Sequence, residues 1–324
     1  MARANAIYYA TQDPFADFTT APEISQVFGE ILGLWASHAW QQLGSPAPVA
    51  LVEAGPGRGT LMADALRAVR RAAPDFAAAL RVHLIETSPR LKASQAALAP
   101  DAAWHDDLTT LPAGPMILLA NEFLDALPIR QFVRRGPGWT ERFVAAGQWL
   151  EQPVEPDLAP NLVPQGRAPA EGDIVELNEA ARGFLAALGQ RASRHAAIAL
   201  LVDYGPERSA AGDSLQALAR KRPTDPLRQA GSADLTAHVD FADLAQVACG
   251  CGASVQGPVP QGAFLTALGL FQRAERLARG QPADPEAQIA AARRLADPAA
   301  MGHLFKAMAI APPNCPPLPG FPPS

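Results

Sequence analysis

Residues 48–72 read PVALVEAGPGRGTLMADALRAVRRA, and the fold can be worked outward from them. The apolar run ending at Ala54 is a strand, Gly55, Gly57 and Gly59 form a loop, and TLMADALRAVRRA (60–72) returns to helical spacing. A second apolar run, LRVHLIE (80–86), follows. Strand, loop, helix and strand in that order begin a doubly wound parallel sheet of the Rossmann-like α/β class. The alternation continues through SPRLKASQAAL (88–98), a helix, and GPMILLANEFLDALP (114–128), whose MILLA run is a buried strand ending at Asn121. AAIALLVDYG (196–205) is a further buried strand.

Upstream, PEISQVFGEILGLWASHAWQQLG (22–44) sets Ile24, Val27, Phe28, Ile31, Leu32, Leu34 and Trp35 at helical spacing, whereas residues 1–20 lack a clear period. Between about 130 and 178 the pattern becomes β-rich, with a Gly-Pro-Gly turn at 136–138 and a Pro-rich loop from 155. A helix over 179–192 follows, then a long polar segment over 206–237, of the kind that is either functional or disordered. Helices are expected near 240–250, 261–280 and 284–296, and APPNCPPLPGFPPS reads as an extended tail. The expected organisation is an N-terminal segment (1–45), a main domain (46–311) with a β-rich insertion and C-terminal helices, and a tail (312–324).

Several function classes fall away on composition. The 324 residues are 48% hydrophobic and 18% charged, and no stretch approaches the roughly 18 uninterrupted apolar residues of a membrane span. A net charge of −5 with scattered Arg and Lys argues against nucleic acid as a partner. Cys249 and Cys251 are one residue apart, which suits neither a zinc knuckle nor a disulfide, so a reducing compartment is expected. MARANAIYYATQDPF carries neither a secretory nor an organellar signal, and the expected placement is cytoplasmic. No metal-ligand spacing and no Ser/His/Asp arrangement supports hydrolysis.

The glycine loop suggests a nucleotide-like ligand, because glycines let backbone approach a ligand and a helix N-terminus offers unpaired N–H groups. Its spacing is G-x-G-x-G, not the G-x-G-x-x-G of dinucleotide sites, and no Lys follows to grip phosphate. Glu53 just ahead of the loop suits a cationic ligand without phosphate, such as S-adenosyl-L-methionine. Glu86, at the end of the second strand, is placed to accept ribose hydroxyls. The structural alternatives are a simple tight turn and a Glu86 that caps the helix from Ser88. Asp106 or Asp107, with Asp107 preferred, stands where an acid meets an adenine amino group.

The blocks YYATQDPFADFTTAPEISQVFGEILGLW, VEAGPGRGTLMADALR, HLIETSPRLKASQ, ANEFLDALPIRQFV, LVDYG, GSADLTAHVDF and MGHLFKAMAI occur in that order. The set resembles the MidA-like family of class I S-adenosylmethionine-dependent methyltransferases, over about residues 8–311. That family is related to the mitochondrial complex I assembly factor that dimethylates an arginine of a complex I subunit. The resemblance implies a Rossmann-like methyltransferase fold with an N-terminal helical lid. It implies that Glu53, Gly55, Gly57, Gly59 and Thr60 wrap the methionine part of S-adenosyl-L-methionine and that Glu86 binds its ribose. Asn121, Glu122 and Asp125 would face the acceptor, and Thr19, Thr20, Pro22, Glu23 and Ser25 would belong to the lid. Departures occur in the shortened DPFADF turn, at Lys221 where the family tends to have His, and at Asn178 and Glu179 in place of a Ser-Pro pair.

Methylating a guanidinium requires carboxylates that align it, concentrate charge on one nitrogen and receive a proton. Glu122 and Asp125 are the first candidates, followed by Glu23, Asp203 and Asp234; each also has an ordinary structural reading as a cap or strand-end carboxylate. His238 suits a proton acceptor or a strand-edge imidazole. The resulting expectation is a protein-arginine methyltransferase acting on a complex I subunit. The alternatives are a non-catalytic cofactor-binding assembly chaperone and a nicotinamide oxidoreductase, the latter lacking its third glycine. Whether the chain forms a homodimer is left open.

Overall fold

The structure, a computed structural model, describes residues 1–12, 19–154, 168–227, 231–280 and 284–322. The DPFADF turn and most of the Pro-rich loop lie outside the described residues. The chain groups into two compact units: one of residues 19–123, 184–205 and 245–324, the other of residues 1–18, 124–183 and 206–244.

The larger unit is built on a seven-stranded sheet. Its strands are β1 (Val49–Ala54), β2 (Leu80–Ile85), β3 (Ala103–His105), β4 (Met116–Asn121), β9 (Ala197–Tyr204), β13 (Ser254–Pro260) and β14 (Phe305–Ala311). The order is β13-β14-β9-β4-β1-β2-β3. β1 is parallel to β2 and β4, β2 to β3 and β4 to β9, while β14 runs antiparallel to both β9 and β13. The chain winds outward from β1 toward β3 and then returns to β4, so the order reverses between β1 and β4, where open α/β sheets bind ligands. Every residue of β1, β4 and β14 is buried, which is why these strands read as mostly apolar runs, interrupted only by Glu53, Asn121 and Lys306, and not as alternations.

The helix expected over 22–44 is present but divided. A short turn, Ala21–Ile24, is separated from Gln26–Gln42 by Ser25, which is extended and whose Oγ accepts from Val27 N. The long helix buries Phe28, Leu32 and Trp35, each contributing about 1.5–3 kcal/mol by leaving water. It lies close to helix Thr60–Ala72: a Cβ added at Gly29 would stand 2.7 Å from Asp64 Cβ, and one at Gly33 would stand 2.7 Å from Ala65 Cα.

Glu30, buried on that long helix, accepts from Arg273 Nε (2.6 Å) and from Arg67 Nη2 (3.3 Å). Burial by itself pushes its carboxyl upward, but the Arg273 and Arg67 hydrogen bonds override this and hold it below the ordinary value. Its contribution to stability is therefore present above the unfolded-state pKa of about 4.3 and lost as pH falls through the lower folded value. Glu30→Gln is expected to cost about 3 kcal/mol at pH 7 and to flatten the acid limb of a urea-midpoint profile between pH 3 and 7. An unchanged acid limb would contradict this assignment.

The 261–280 helix divides into Gln261–Ala267 and Leu270–Gly280 at Gly269, which has φ 87°. The final segment, expected as an extended tail, packs on the core: Leu318 and Phe321 are buried, Phe321 meets Phe264, and Trp35 Nε1 donates to Pro319 O. Proline removes backbone donors and so stops this segment joining a sheet, but it does not prevent two apolar side chains from packing.

In the second unit, the insertion is a four-stranded antiparallel sheet of β5 (Arg130–Arg135), β6 (Gly138–Ala145), β7 (Gln148–Pro153) and β8 (Ile174–Leu177), in the order β7-β6-β5-β8. The expected Gly-Pro-Gly turn joins β5 to β6, with Gly136 at φ 51°. The polar 206–237 segment contains a small sheet, β10 (Gln216–Ala219), β11 (Arg222–Pro223) and β12 (Asp234–Thr236). Residues 1–20, without period, include a helix, Ala2–Thr11, which is held from its side chains: Asn5 Nδ2 donates to Ala126 O and Leu235 O, and Asn5 Oδ1 accepts from Leu235 N.

Of two departures from the family pattern, Asn178 has a local explanation, and nothing in the structure explains Lys221 in place of His. Lys221 sits with Arg220 in the two-residue turn between β10 and β11, at φ 60° and 52°. Asn178 acts as a helix cap: its Oδ1 accepts from Ala181 N, and its Nδ2 donates to Leu124 O and Leu127 O.

Candidate cofactor and acceptor site

The C-terminal edge of the parallel sheet carries an acid at every strand end. Glu53 lies one residue inside the end of β1, Glu86 follows β2, Asp106 and Asp107 follow β3, Glu122 follows β4, and Asp203 is the penultimate residue of β9. Such an edge is repulsive to phosphate and favourable to a cationic ligand.

Beyond β1 the backbone turns through three left-handed glycines, Gly55 (φ 66°), Gly57 (φ 54°) and Gly59 (φ 88°). Gly55 also has no room for a side chain, since an added Cβ would lie 2.8 Å from Phe123 Cδ2. Gly59 is the N-cap of helix Thr60–Ala72 and supplies no side-chain cap; in the first turn the Met62 N–H is taken by the Glu53 carboxyl. Thr60 Oγ1 donates to Glu23 Oε1 at 2.5 Å, which brings the 21–24 turn against the start of this helix. Thr20 is the N-cap residue of that turn, in extended conformation.

Glu53 is 3% exposed. One oxygen takes the Met62 backbone N–H, while Oε2 is buried without a hydrogen-bond partner among the described residues. Burial raises the carboxyl to about 8, with the Met62 hydrogen bond opposing only in part. A buried acid with an unsatisfied oxygen beneath a glycine loop fits a ligand that brings donors or positive charge. S-adenosyl-L-methionine carries an ammonium and a sulfonium and no phosphate, and these residues fit it.

Glu86 is held from two directions: Oε1 accepts from Ser88 N (2.7 Å) and Oε2 from Gln95 Nε2 (3.1 Å). The capping of helix Pro89–Leu98 falls to Ser88, whose Oγ accepts from Leu91 N. Asp106 pairs with Lys92 Nζ at 3.1 Å. Asp107 caps the 3₁₀ turn Leu108–Thr110; its Oδ1 accepts from Thr109 Oγ1 and Thr109 N, and these bonds hold the carboxyl below its ordinary range.

At the end of β4, Glu122 has φ 49°, a strained backbone for a residue with a side chain and of a kind that clusters at functional sites. Its Oε1 accepts from Ala21 N (3.0 Å) and from Asn121 Nδ2 (3.1 Å), tying the 21–24 turn to β4. Asn121 Oδ1 is buried without a hydrogen-bond partner among the described residues. Asp203 spans the ends of β4 and β9, its Oδ2 accepting from Phe123 N and its Oδ1 from Tyr204 N.

The structure therefore brings Glu53, the three glycines, Thr60, Glu86, Asn121, Glu122, Glu23 and Asp203 into one unit, with Asp106 and Asp107 on the same sheet edge. Asp125, Asp234 and His238 belong to the other unit. There Asp234 Oδ1 accepts from Tyr9 OH at 2.8 Å. Burial first, then the charges of Asp234 and Asp125, push the Tyr9 hydroxyl well above its ordinary range. His238 N donates to Ser214 Oγ, and burial lowers its imidazole despite an opposing Glu176 charge. Sequence reasoning did not single out Gln95, Trp104, Phe123, Asn5 or Tyr9. Tyr9 has no local signal because its partner lies 225 positions along the chain, and Gln95 has none because its partners at Glu86 and Trp104, though only nine positions away, sit on or just after neighbouring strands.

No group of three or more His, Cys, Asp or Glu side chains among the described residues could hold a metal ion, and no described helix is long and apolar enough to cross a membrane.

Comparison with known proteins agrees with this edge. The family profile described as S-adenosyl-L-methionine-dependent methyltransferase matches residues 31–259. The chain is 34% identical over 344 residues to the protein arginine methyltransferase NDUFAF7 homolog, mitochondrial, of Drosophila melanogaster, covering 94% of this chain and 78% of that one. It is 32% identical over 338 residues to the human protein arginine methyltransferase NDUFAF7, mitochondrial, covering 94% and 76%. A crystal structure from Burkholderia thailandensis, with S-adenosyl-homocysteine bound, superposes with a TM-score of 0.79 at 26% identity, covering 94% of this chain and 81% of that one. The expected cytoplasmic placement is overturned by these relatives, which are named as mitochondrial proteins; the composition of a first stretch of residues was too weak a ground for it. With the fold, the cationic-ligand edge and the profile in agreement, the chain belongs to the S-adenosyl-L-methionine-dependent methyltransferases and is itself such an enzyme.

Proposed function

We propose that this enzyme methylates an arginine side chain of a protein, and that the acceptor belongs to a subunit of respiratory complex I. The observation that carries the reading is the row of carboxylates at the strand ends, which suits two cationic reactants meeting at one edge. The relatives named protein arginine methyltransferases, aligned over 94% of the chain, support the acceptor class. The resemblance to the complex I assembly factor supports the partner.

When bound, S-adenosyl-L-methionine supplies an electrophilic methyl group for in-line transfer to a nucleophile. In this reading Glu53, Gly55, Gly57, Gly59 and Thr60 hold its methionine part, Glu86 its ribose, and Asp107 the adenine amino group. Thr20, Glu23 and Asn121 complete the enclosure. Glu122 aligns the guanidinium, its carboxylate already oriented by Ala21 N and Asn121 Nδ2. Asp203 keeps the two strand ends in register beside it through its backbone hydrogen bonds.

The test is methyl transfer from radiolabelled S-adenosyl-L-methionine to the proteome of a strain lacking this gene, with mass spectrometry to locate the label. Label on an arginine of a complex I subunit is expected, whereas label on lysine or on a small molecule would overturn the reading. Glu122→Gln is expected to lower kcat by about 100- to 10,000-fold while leaving S-adenosyl-homocysteine affinity within about threefold.

A further inference from the structure

We propose that Gln95 is a positioning residue of the cofactor pocket, its single carboxamide setting the geometry of the glycine loop and the ribose-binding acid together. The inference rests on the reading of Glu86 as the ribose acceptor.

Gln95 lies in helix Pro89–Leu98 and is fully buried. Its Nε2 donates to Gly57 O at 2.8 Å and to Glu86 Oε2 at 3.1 Å, and its Oε1 accepts from Trp104 Nε1 at 2.8 Å. An indole N–H can only donate, so the amide oxygen must face Trp104 and both amide hydrogens must face the other two groups. The orientation of the amide is thereby fixed by chemistry. Each Nε2 hydrogen then has one acceptor, a loop carbonyl and a carboxylate oxygen, and no polar atom of the side chain is left over.

The consequence is mechanical. Gly57 lies in the loop beyond β1, Glu86 follows β2 and Trp104 is in β3, so one side chain ties together the ends of three neighbouring strands. Gly59 closes against the same residue, since a Cβ added there would stand 3.5 Å from Gln95 Cα. With Oε1 of Glu86 taken by Ser88 N and Oε2 by Gln95, the carboxylate plane cannot rotate, and its remaining lone pairs are aimed before any ligand arrives. A helix residue with no expected ligand contact thus governs how the ribose acid and the loop are presented.

The experiment is isothermal titration of S-adenosyl-homocysteine and of its 2′-deoxyribose analogue into the wild type, Gln95→Leu, Glu86→Gln and the double variant, with thermal melts on each. Gln95→Leu is expected to weaken S-adenosyl-homocysteine about tenfold, the loss of a hydrogen bond to a charged group. On the Glu86→Gln background the same change is expected to cost less than about threefold, because coupled residues are non-additive. The deoxy analogue is expected to lose less than the parent ligand. Trp104→Phe, which keeps the ring but frees the amide to turn over, is expected to weaken binding in the same direction and serves if Gln95→Leu does not fold. Additive losses, or equal losses for both ligands, would reduce Gln95 to a structural residue and overturn the proposal, as would wild-type affinity in both Gln95→Leu and Trp104→Phe. Unchanged affinity in Glu86→Gln would instead show that the ribose reading of Glu86 has failed, and the coupling to Glu86 with it.

Discussion

Gly55→Val is expected to lower S-adenosyl-homocysteine affinity by at least about 100-fold, the scale of loss that a roughly 1 Å displacement in a site can bring. Two independent constraints meet at this residue. Its φ of 66° is left-handed, which costs an L-residue about 1–2 kcal/mol and a β-branched one more. Its missing side chain is also the space filled by Phe123, 2.8 Å from where a Cβ would stand. Phe123 has little freedom to retreat, because its N–H is bonded to Asp203 Oδ2 and its ring packs on Phe184 with centroids 5.0 Å apart. The loop must therefore move, and with it the start of helix Thr60–Ala72. The core under β1 is not touched, so circular dichroism should show the fold retained. Titration with S-adenosyl-homocysteine decides the matter, and an affinity within about threefold of wild type would contradict this account of the loop.

Glu53→Gln is expected to separate stability from binding. The folded carboxyl sits near pH 8, well above the unfolded value of about 4.3. A raised pKa means that its contribution to stability is fully present below about 4.3 and is lost as pH rises through 8. The ligand-free wild type should accordingly weaken on going from pH 6 to pH 9, where a buried carboxylate must carry charge with one oxygen unpartnered. The glutamine variant has no proton to lose and should lack that slope. At pH 9 it is expected to exceed the wild type by an amount on the order of a few kcal/mol, and the gap should already be partly open at pH 6, closing only near pH 4, where the Glu53 carboxyl is protonated in the folded and the unfolded chain alike. Cofactor affinity should move the other way, falling about tenfold or more, because the acid can give up its proton to become the anion that complements the ligand's ammonium and the amide cannot. Melting curves at pH 6 and pH 9, each with and without S-adenosyl-homocysteine, test both halves. Parallel pH profiles for the two proteins would show that Glu53 does not titrate as argued.

Both predictions concern residues that were visible in the linear chain, and the reason is physical. A strand buried on both faces must be an apolar run, and a loop that turns sharply with positive φ must be glycine. Positions 49–59 meet both demands, so strand, loop and the following helix could be read locally. The acids at 53, 86, 122 and 203 were legible for a related reason: a charged residue closing an apolar run marks a strand end. What could not be read is which groups those acids face. Asp203 accepts from Phe123 N across 80 positions and Glu122 accepts from Ala21 N across 101, separations over which no periodicity carries information.

The terminal segments show the same limit. Residues 2–11 have no amphipathic period, yet they form a helix because Asn5 and Tyr9 are held by residues more than 200 positions away. The Pro-rich end reads as an extended tail, and its packing was not legible, because Leu318 and Phe321 find Phe264 and its neighbours only in the folded chain. By itself the sequence determined the Rossmann-like sheet, the glycine loop and the chemical class of its ligand, since each follows from the backbone geometry or charge of a few adjacent residues. Only the tertiary structure decided that Gln95 and Trp104 bind the loop to Glu86, that Glu30 joins three helices, and that Asp125 and His238 belong to a different unit from Glu122. The hydrogen bonds among them are directional and join different strands and helices, whether nine positions apart, as for Gln95 and Trp104, or 243, as for Glu30 and Arg273, and they exist only once the sheet has set the distances.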